Sequence, residues 1–174
     1  MKICFAVVVM ILAGTMVSAQ WKKGDEGVAD SADRKAVNGF GGNLIVVADP
    51  QGFIKEWQKP ETPNINPATN VKRGELLGAF VLFAGCKPDN AGICNSEVDY
   101  MVYKPDGSLY AERTGQPLWK DQAPPARNIQ LSKAILGIRM EQGDPDGEYR
   151  VKAKVSDLNA NITFELETKF RLAP

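Results

Sequence analysis

The sequence predicts an all-β fold, an antiparallel β-sandwich of about eight short strands behind a loosely ordered N-terminal arm. From Asn43 onward, β-branched and aromatic residues recur at a period of two. Turn-forming clusters of Pro, Asp and Gly separate these runs, as in Asp49-Pro50-Gln51-Gly52 and Lys104-Pro105-Asp106-Gly107. No segment carries a long helical period.

The N-terminus reads as a processing segment. Met1-Lys2 is a short positive region, Ile3 to Leu12 is an unbroken apolar run, and Val17-Ser18-Ala19 supplies small residues at a cleavage site. Residues 1–19 are therefore expected to be a secretory signal peptide cut after Ala19. The apolar run is shorter than the ~20 residues that span a bilayer, so no stable membrane insertion is expected after cleavage. The style of signal points to a bacterial envelope, and the expected location is periplasmic or secreted.

Residues 20–42 are polar and glycine-containing, without a period, and read as the loose arm; Ser31 to Val37 could form one or two helical turns. The sandwich is expected over residues 43–174. Leu44-Ile45-Val46-Val47 is its first strand, and Phe53 to Trp57 begins a second. Lys59 to Lys72, with Pro60, Pro63 and Pro67, is a rigid loop. Glu75 to Phe83 is apolar on both faces, with Leu77, Ala79, Val81 and Phe83 on one and Leu76, Phe80 and Leu82 on the other. Such a strand is central, or covered by another element.

Cleavage leaves Cys86 and Cys94, which flank a polar turn-forming stretch. In an oxidising compartment they are expected to form a disulfide. Glu97 to Tyr103 alternates as a strand, Ser108 to Glu112 returns, and Arg113 to Arg127 is a long loop holding Trp119. In Asn128 to Met140 the apolar phase shifts between Ile129/Leu131 and Leu136/Ile138/Met140, which suggests a bulge. The last two strands form a hairpin around Ser156 to Asn161. Pairing Val155 with Ile162 sets Lys152 opposite Glu165, Arg150 opposite Glu167 and Glu148 opposite Lys169, so charge complementarity selects this register.

Asp146-Gly147-Glu148-Tyr149-Arg150-Val151 resembles the G-x-Y-x-C stretch that opens strand F of immunoglobulin-like domains. The resemblance implies that Tyr149, just after Gly147, is a tyrosine-corner residue. Val151 stands where antibody domains carry Cys, and Pro145 where they often carry Asp. Together with Met101-Val102-Tyr103-Lys104-Pro105-Asp106-Gly107, the stretch is similar to macroglobulin-type and related immunoglobulin-like modules of bacterial envelope proteins.

Functionally, composition excludes more than it selects. The 174 residues include 21 basic, 21 acidic and no histidine side chains. Ser-His-Asp and Cys-His catalysis and His-ligated metal sites are impossible within the chain. The balanced charge argues against nucleic acid as a partner. The carboxylates of Asp144-Pro145-Asp146-Gly147-Glu148 suit turn chemistry without an ion, and no cofactor or metal is implied. The expected function is non-enzymatic binding or adaptation in the envelope, toward a protein partner, through loops at one end of the sandwich. A carbohydrate-binding module and a structural subunit assembling through its N-terminal arm are the alternatives. Trp119, Trp57 and Trp21 are the candidate contact residues. Trp119 comes first among them, although it could equally plug an end of the sandwich, the role preferred for Trp57.

Overall fold

The computed structural model describes residues 22–23, 26–61, 63–126 and 128–174, with backbone alone at 22–23 and 26–27. The signal segment 1–19 and Trp21 lie outside these residues. In chain order the elements are β1 (Lys22–Lys23), β2 (Glu26–Gly27), β3 (Arg34–Val37), β4 (Phe40–Ala48), α1 (Pro50–Trp57), β5 (Asn70–Val71) and β6 (Leu76–Ala84). They continue with β7 (Ser96–Tyr103), β8 (Leu109–Trp119), β9 (Gln130–Leu131), β10 (Leu136–Arg139), β11 (Gly147–Asp157) and β12 (Ile162–Leu172). One sheet runs β10-β6-β4-β3, with β9 also on β6; the other runs β5-β12-β11-β7-β8. The parallel pairing of β5 with β12 is an exception in an otherwise antiparallel arrangement.

Alternating side chains from both sheets meet in one core. Leu77, Ala79, Val81 and Phe83 of β6 face Val98, Tyr100 and Val102 of β7 and Tyr149, Val151, Ala153 and Val155 of β11 within it. The Tyr149 hydroxyl donates 3.0 Å to the carbonyl of Pro145, and its ring stacks on Phe170 with centroids 5.4 Å apart. A tyrosine near the start of the central strand, bonded back to the chain just upstream, is the immunoglobulin-like corner. The fold is an immunoglobulin-like sandwich.

Several sequence expectations are corrected here. Arg34–Val37 is a strand and not helical turns: Asn38 and Gly39, at φ 48° and 90°, make a tight hairpin that pairs Val37 with Phe40. The arm is thus tied into the sheet from Arg34, and the Glu167 N–H donates 2.7 Å to the Ala32 carbonyl, joining it to β12.

Phe53 to Trp57 is helical. Asp49 caps α1 by accepting 3.0 Å from the Gly52 N–H, Pro50 follows at the first turn, and Phe53, Ile54 and Trp57 fall on one helical face. That face covers the outer side of β4 and β6, where Ile45, Val47, Phe80 and Leu82 form a second apolar cluster with it. The dual-faced apolar pattern of β6 is explained: it is central in its sheet and roofed by α1.

Arg113 to Trp119 is not loop but the second half of β8, irregularly paired to β7. The phase shift after Leu131 also has a different cause than expected. Leu131 packs on the α1 side, whereas Leu136, Ile138 and Met140 enter the main core. Two apolar patterns serve two cores, and the chain breaks between β9 and β10.

The terminal hairpin forms, but two residues out of the expected register. Asp157 pairs with Ile162 and Val155 with Phe164, which puts Lys152 opposite Glu167 and Lys154 opposite Glu165. Arg150 therefore faces Lys169, not Glu167, and Lys152 does not face Glu165. This register also keeps three opposite pairs, the third being Glu148 with Arg171, and the turn fixes it in spite of one like pair. Buried Asp157 accepts from the N–H groups of Asn159 (3.1 Å) and Ala160 (3.2 Å), and Asn161 adopts φ 53°, closing a shorter loop. The like pair is relieved diagonally. Lys169 reaches Glu148 at 2.9 Å, and the Arg150 guanidinium lies 5.9 Å from the Tyr103 ring centroid.

Candidate functional site

The Cys86–Cys94 disulfide is formed, with Cα atoms 5.9 Å apart. Its ring is held against two other loops. The Cys94 N–H donates 2.9 Å to the Asp121 carbonyl, and Ala123 N–H donates 2.9 Å to the Gly92 carbonyl. The Asn159 side-chain amide donates 2.9 Å to each of the Lys87 and Ile93 carbonyls. The loops at this end therefore satisfy one another's backbone groups and stand as a rigid rim. The Lys59–Lys72 segment does not join them: Ile65 packs on the outer face of the β4/β6 sheet, and the Ala68 N–H donates 2.8 Å to the Val46 carbonyl at the edge of β4.

Trp119 is half-buried at the end of β8. Its ring lies 5.7 Å from Phe83, Lys133 Nζ sits 4.8 Å from its centroid, and its indole N–H donates 2.9 Å to the Gln122 carbonyl. It is a member of the core margin, with its one polar atom used internally. The carboxylates near the tyrosine corner are also engaged. Asp144 accepts from the Tyr110 hydroxyl (2.7 Å) and the Glu141 N–H (2.6 Å), while Asp146 pairs with Arg73. The Tyr110 phenol is pushed up by burial and by the Asp144 carboxylate it donates to.

A concavity lies beside the end of α1. It is a groove of about 590 Å³ with Trp57, Pro60, Pro63, Ile65, Leu82 and Ile129 as its apolar wall. Glu61 and Asn128 bring polar side chains to it, while Gln130 lies opposite Phe83 in the register and shares its inner face. Trp57 packs on Phe53 with centroids 5.9 Å apart and remains half-buried, while Ile129 is 46% exposed. The construction follows from the sequence. The cap at Asp49 aims α1 across β6, Trp57 comes at the last turn, and the proline-bearing segment holds the opposite wall without regular hydrogen bonding. Gln130, at the start of β9, pairs with Phe83 and is half-buried; Asn128 precedes it. Among the described lining residues Glu61 is the one charge.

Of the sequence candidates, the groove takes Trp57 but not Trp119. Ile65, Leu82 and Asn128 to Gln130 were not singled out. The signal available for them was the opposed phase of Leu131, which marks a second apolar face on the outer side of the sheet. Arg150, Lys152, Glu165 and Glu167 lie on the outer face of β11 and β12, away from this groove.

No protein-family model matches this chain, and no curated protein does. Among solved structures it is similar to a family 123 glycoside hydrolase from Clostridium perfringens, at 12% identity and a TM-score of 0.39. That match covers 76% of this chain but 27% of the hydrolase. It is also similar to the CARDB domain of a Pyrococcus furiosus protein, at 14% identity and a TM-score of 0.38, over 84% of this chain and 99% of that domain. Neither likeness bears on function.

Proposed function

We propose that this protein is a non-enzymatic binding domain of the bacterial envelope, periplasmic or secreted, and that it holds its ligand in the Trp57 groove. The observation that carries the reading is the groove itself. The half-buried indole of Trp57 and the exposed side chain of Ile129 stand beside Glu61 and Asn128, the mixture found in sites that orient a ligand. Histidine is absent from the chain, and the carboxylates around the tyrosine corner are occupied by Tyr110, Arg73 and backbone donors. That supports binding over catalysis. The disulfide between Cys86 and Cys94 fits an oxidising compartment. No helix among the described residues is long and apolar enough to cross a membrane.

The test is retention from an envelope extract of the native host. The mature domain is immobilised as wild type, Trp57→Ala, Ile129→Asp and Leu109→Asp, the last being exposed on the other sheet. Circular dichroism confirms the fold of each. The expected result is a ligand retained by wild type and Leu109→Asp and lost from both groove variants. Equal retention by all four, or by none, overturns the reading.

A further inference from the structure

We propose that Asn38-Gly39 is a site of spontaneous covalent modification, and that its isoaspartyl product frees the arm from the sheet. It is the one Asn-Gly pair in the chain. Both residues are exposed and left-handed, at φ 48° and 90°. Beyond its chain neighbours, no atom of the described residues lies within 4 Å of where a Cβ on Gly39 would stand. The bond that closes such a turn joins its outer residues, here Val37 and Phe40, and leaves the Gly39 N–H outside the ladder. Without a side chain, Gly39 can swing its nitrogen onto the neighbouring amide. That nitrogen bonds to Asn38 Cγ as the Cγ–Nδ2 bond breaks, and Nδ2 leaves as ammonia with the Gly39 proton. Water then opens the cyclic imide. Cleavage at the side-chain carbonyl gives aspartate, and cleavage at the main-chain carbonyl gives isoaspartate.

Comparable positions are less suited. The Asn159 amide is held by the Lys87 and Ile93 carbonyls, and Asn161 precedes β-branched Ile162, which crowds the attacking nitrogen. In the Asp-Gly pairs, Asp106 accepts from Ser108 and Asp146 pairs with Arg73. Isoaspartate carries the chain through Cβ and Cγ, which adds an atom to the backbone. A two-residue turn that pairs Val37 with Phe40 has no place for that atom. The arm depends on this register. Next along the chain, the Leu44 N–H donates 2.8 Å to the Asp33 carbonyl, and the Glu167 N–H donates 2.7 Å to the Ala32 carbonyl.

The test is incubation of the folded mature domain at mildly alkaline pH, followed by peptide mapping with isoaspartyl-methyltransferase labelling. Asn38 should convert before every other asparagine and give more isoaspartate than aspartate. Asn38→Gly keeps a turn sequence suited to the same hairpin and should take no label there. Amide exchange of the separated forms reads the release. Protection of Leu44 and Glu167 should fall by about tenfold or more in the isoaspartyl form, the loss of roughly one hydrogen bond's worth of restraint. It should hold in Asn38→Gly. If Asn38 keeps its amide in the folded domain while the urea-unfolded chain converts, the turn shields it and the proposal is overturned. Exchange at Leu44 and Glu167 that is unchanged in the isoaspartyl form overturns the release of the arm.

Discussion

The carboxylate of Asp157 accepts a 2.7 Å hydrogen bond from the backbone N–H of Lys87, the residue after Cys86. The same carboxylate accepts from Asn159 and Ala160, so one buried side chain closes its own hairpin and anchors the disulfide loop. Asp157→Ala would leave those N–H groups without an acceptor inside the protein. Bonds to a charged acceptor are the stronger kind, and the expected loss is about 3 kcal/mol of unfolding free energy. Urea denaturation measures it. Amide hydrogen exchange should accelerate together at Lys87, Asn159 and Ala160. Exchange unchanged at Lys87 would show that the two loops are not coupled through this group.

The disulfide and the Asp157 contacts restrain the same loop by different means. Replacing both cysteines, Cys86→Ala with Cys94→Ala, removes the covalent ring but leaves the bonds from Lys87, Cys94 and Asn159. For a ring of this size the chain-entropy model gives a loss of about 2.6 kcal/mol, expressed mainly through the unfolded state. The double variant should therefore unfold earlier in urea and yet keep its loop. Its exchange pattern at residues 87–94 under native conditions should match wild type once corrected for global stability. Selective opening of that loop would mean the disulfide, and not the hydrogen bonds, holds it.

The residues that misled sequence reading share a cause. In the terminal hairpin, either register buries the same inner residues, so the hydrophobic pattern could exclude a one-residue slip but not a two-residue one. Cross-strand charge pairs are worth a few tenths to ~1 kcal/mol each, less than the buried turn contacts of Asp157, which involve Lys87 some seventy positions away. No local pattern displays that bond. The alternation of β7 and β11, the disulfide and the tyrosine corner were legible because each depends on neighbouring residues alone. The groove was not, since Trp57, Leu82 and Gln130 come from three elements that meet only after α1 folds over β6. Reading Phe53 to Trp57 as a strand hid it, although Asp49-Pro50 is a helix start as well as a turn.

Gly78 and Gly137 face each other across β6 and β10, and they should respond oppositely to the same substitution. A Cβ on Gly78 would lie 2.6 Å from Pro50 Cβ and 2.7 Å from Phe80 Cε2, while one on Gly137 meets only Leu76 Cδ1 at 3.9 Å. Gly78→Ala must lift the start of α1, a cost on the order of 1–3 kcal/mol. Gly137→Ala should be neutral or slightly stabilising, because it restricts the unfolded chain. Thermal unfolding of the two variants provides the comparison. Since α1 also carries Trp57, Gly78→Ala should weaken ligand retention in the groove and Gly137→Ala should not. Equal stability of the two would show that α1 does not bear on β6 as closely as the structure has it.

Alkaline pH should destabilise the fold through Tyr100. Its hydroxyl donates 3.2 Å to the Ala134 carbonyl, it is fully buried, and burial pushes its phenol far above the ordinary value of 10.0. The proton is thus held more tightly in the folded state than in the unfolded one. The associated stability is complete below about pH 10 and falls as pH rises beyond it, by about 1.4 kcal/mol per pH unit. Tyr100→Phe loses the hydrogen bond, worth about 1 kcal/mol at neutral pH, but also loses the titration. Urea unfolding at pH 7 and pH 11 should show the variant less stable at the first and equal to or more stable than wild type at the second. All other titrating groups are common to the two proteins, so the comparison between them isolates the phenol. A constant difference at the two pH values would mean that Tyr100 ionises while the protein remains folded.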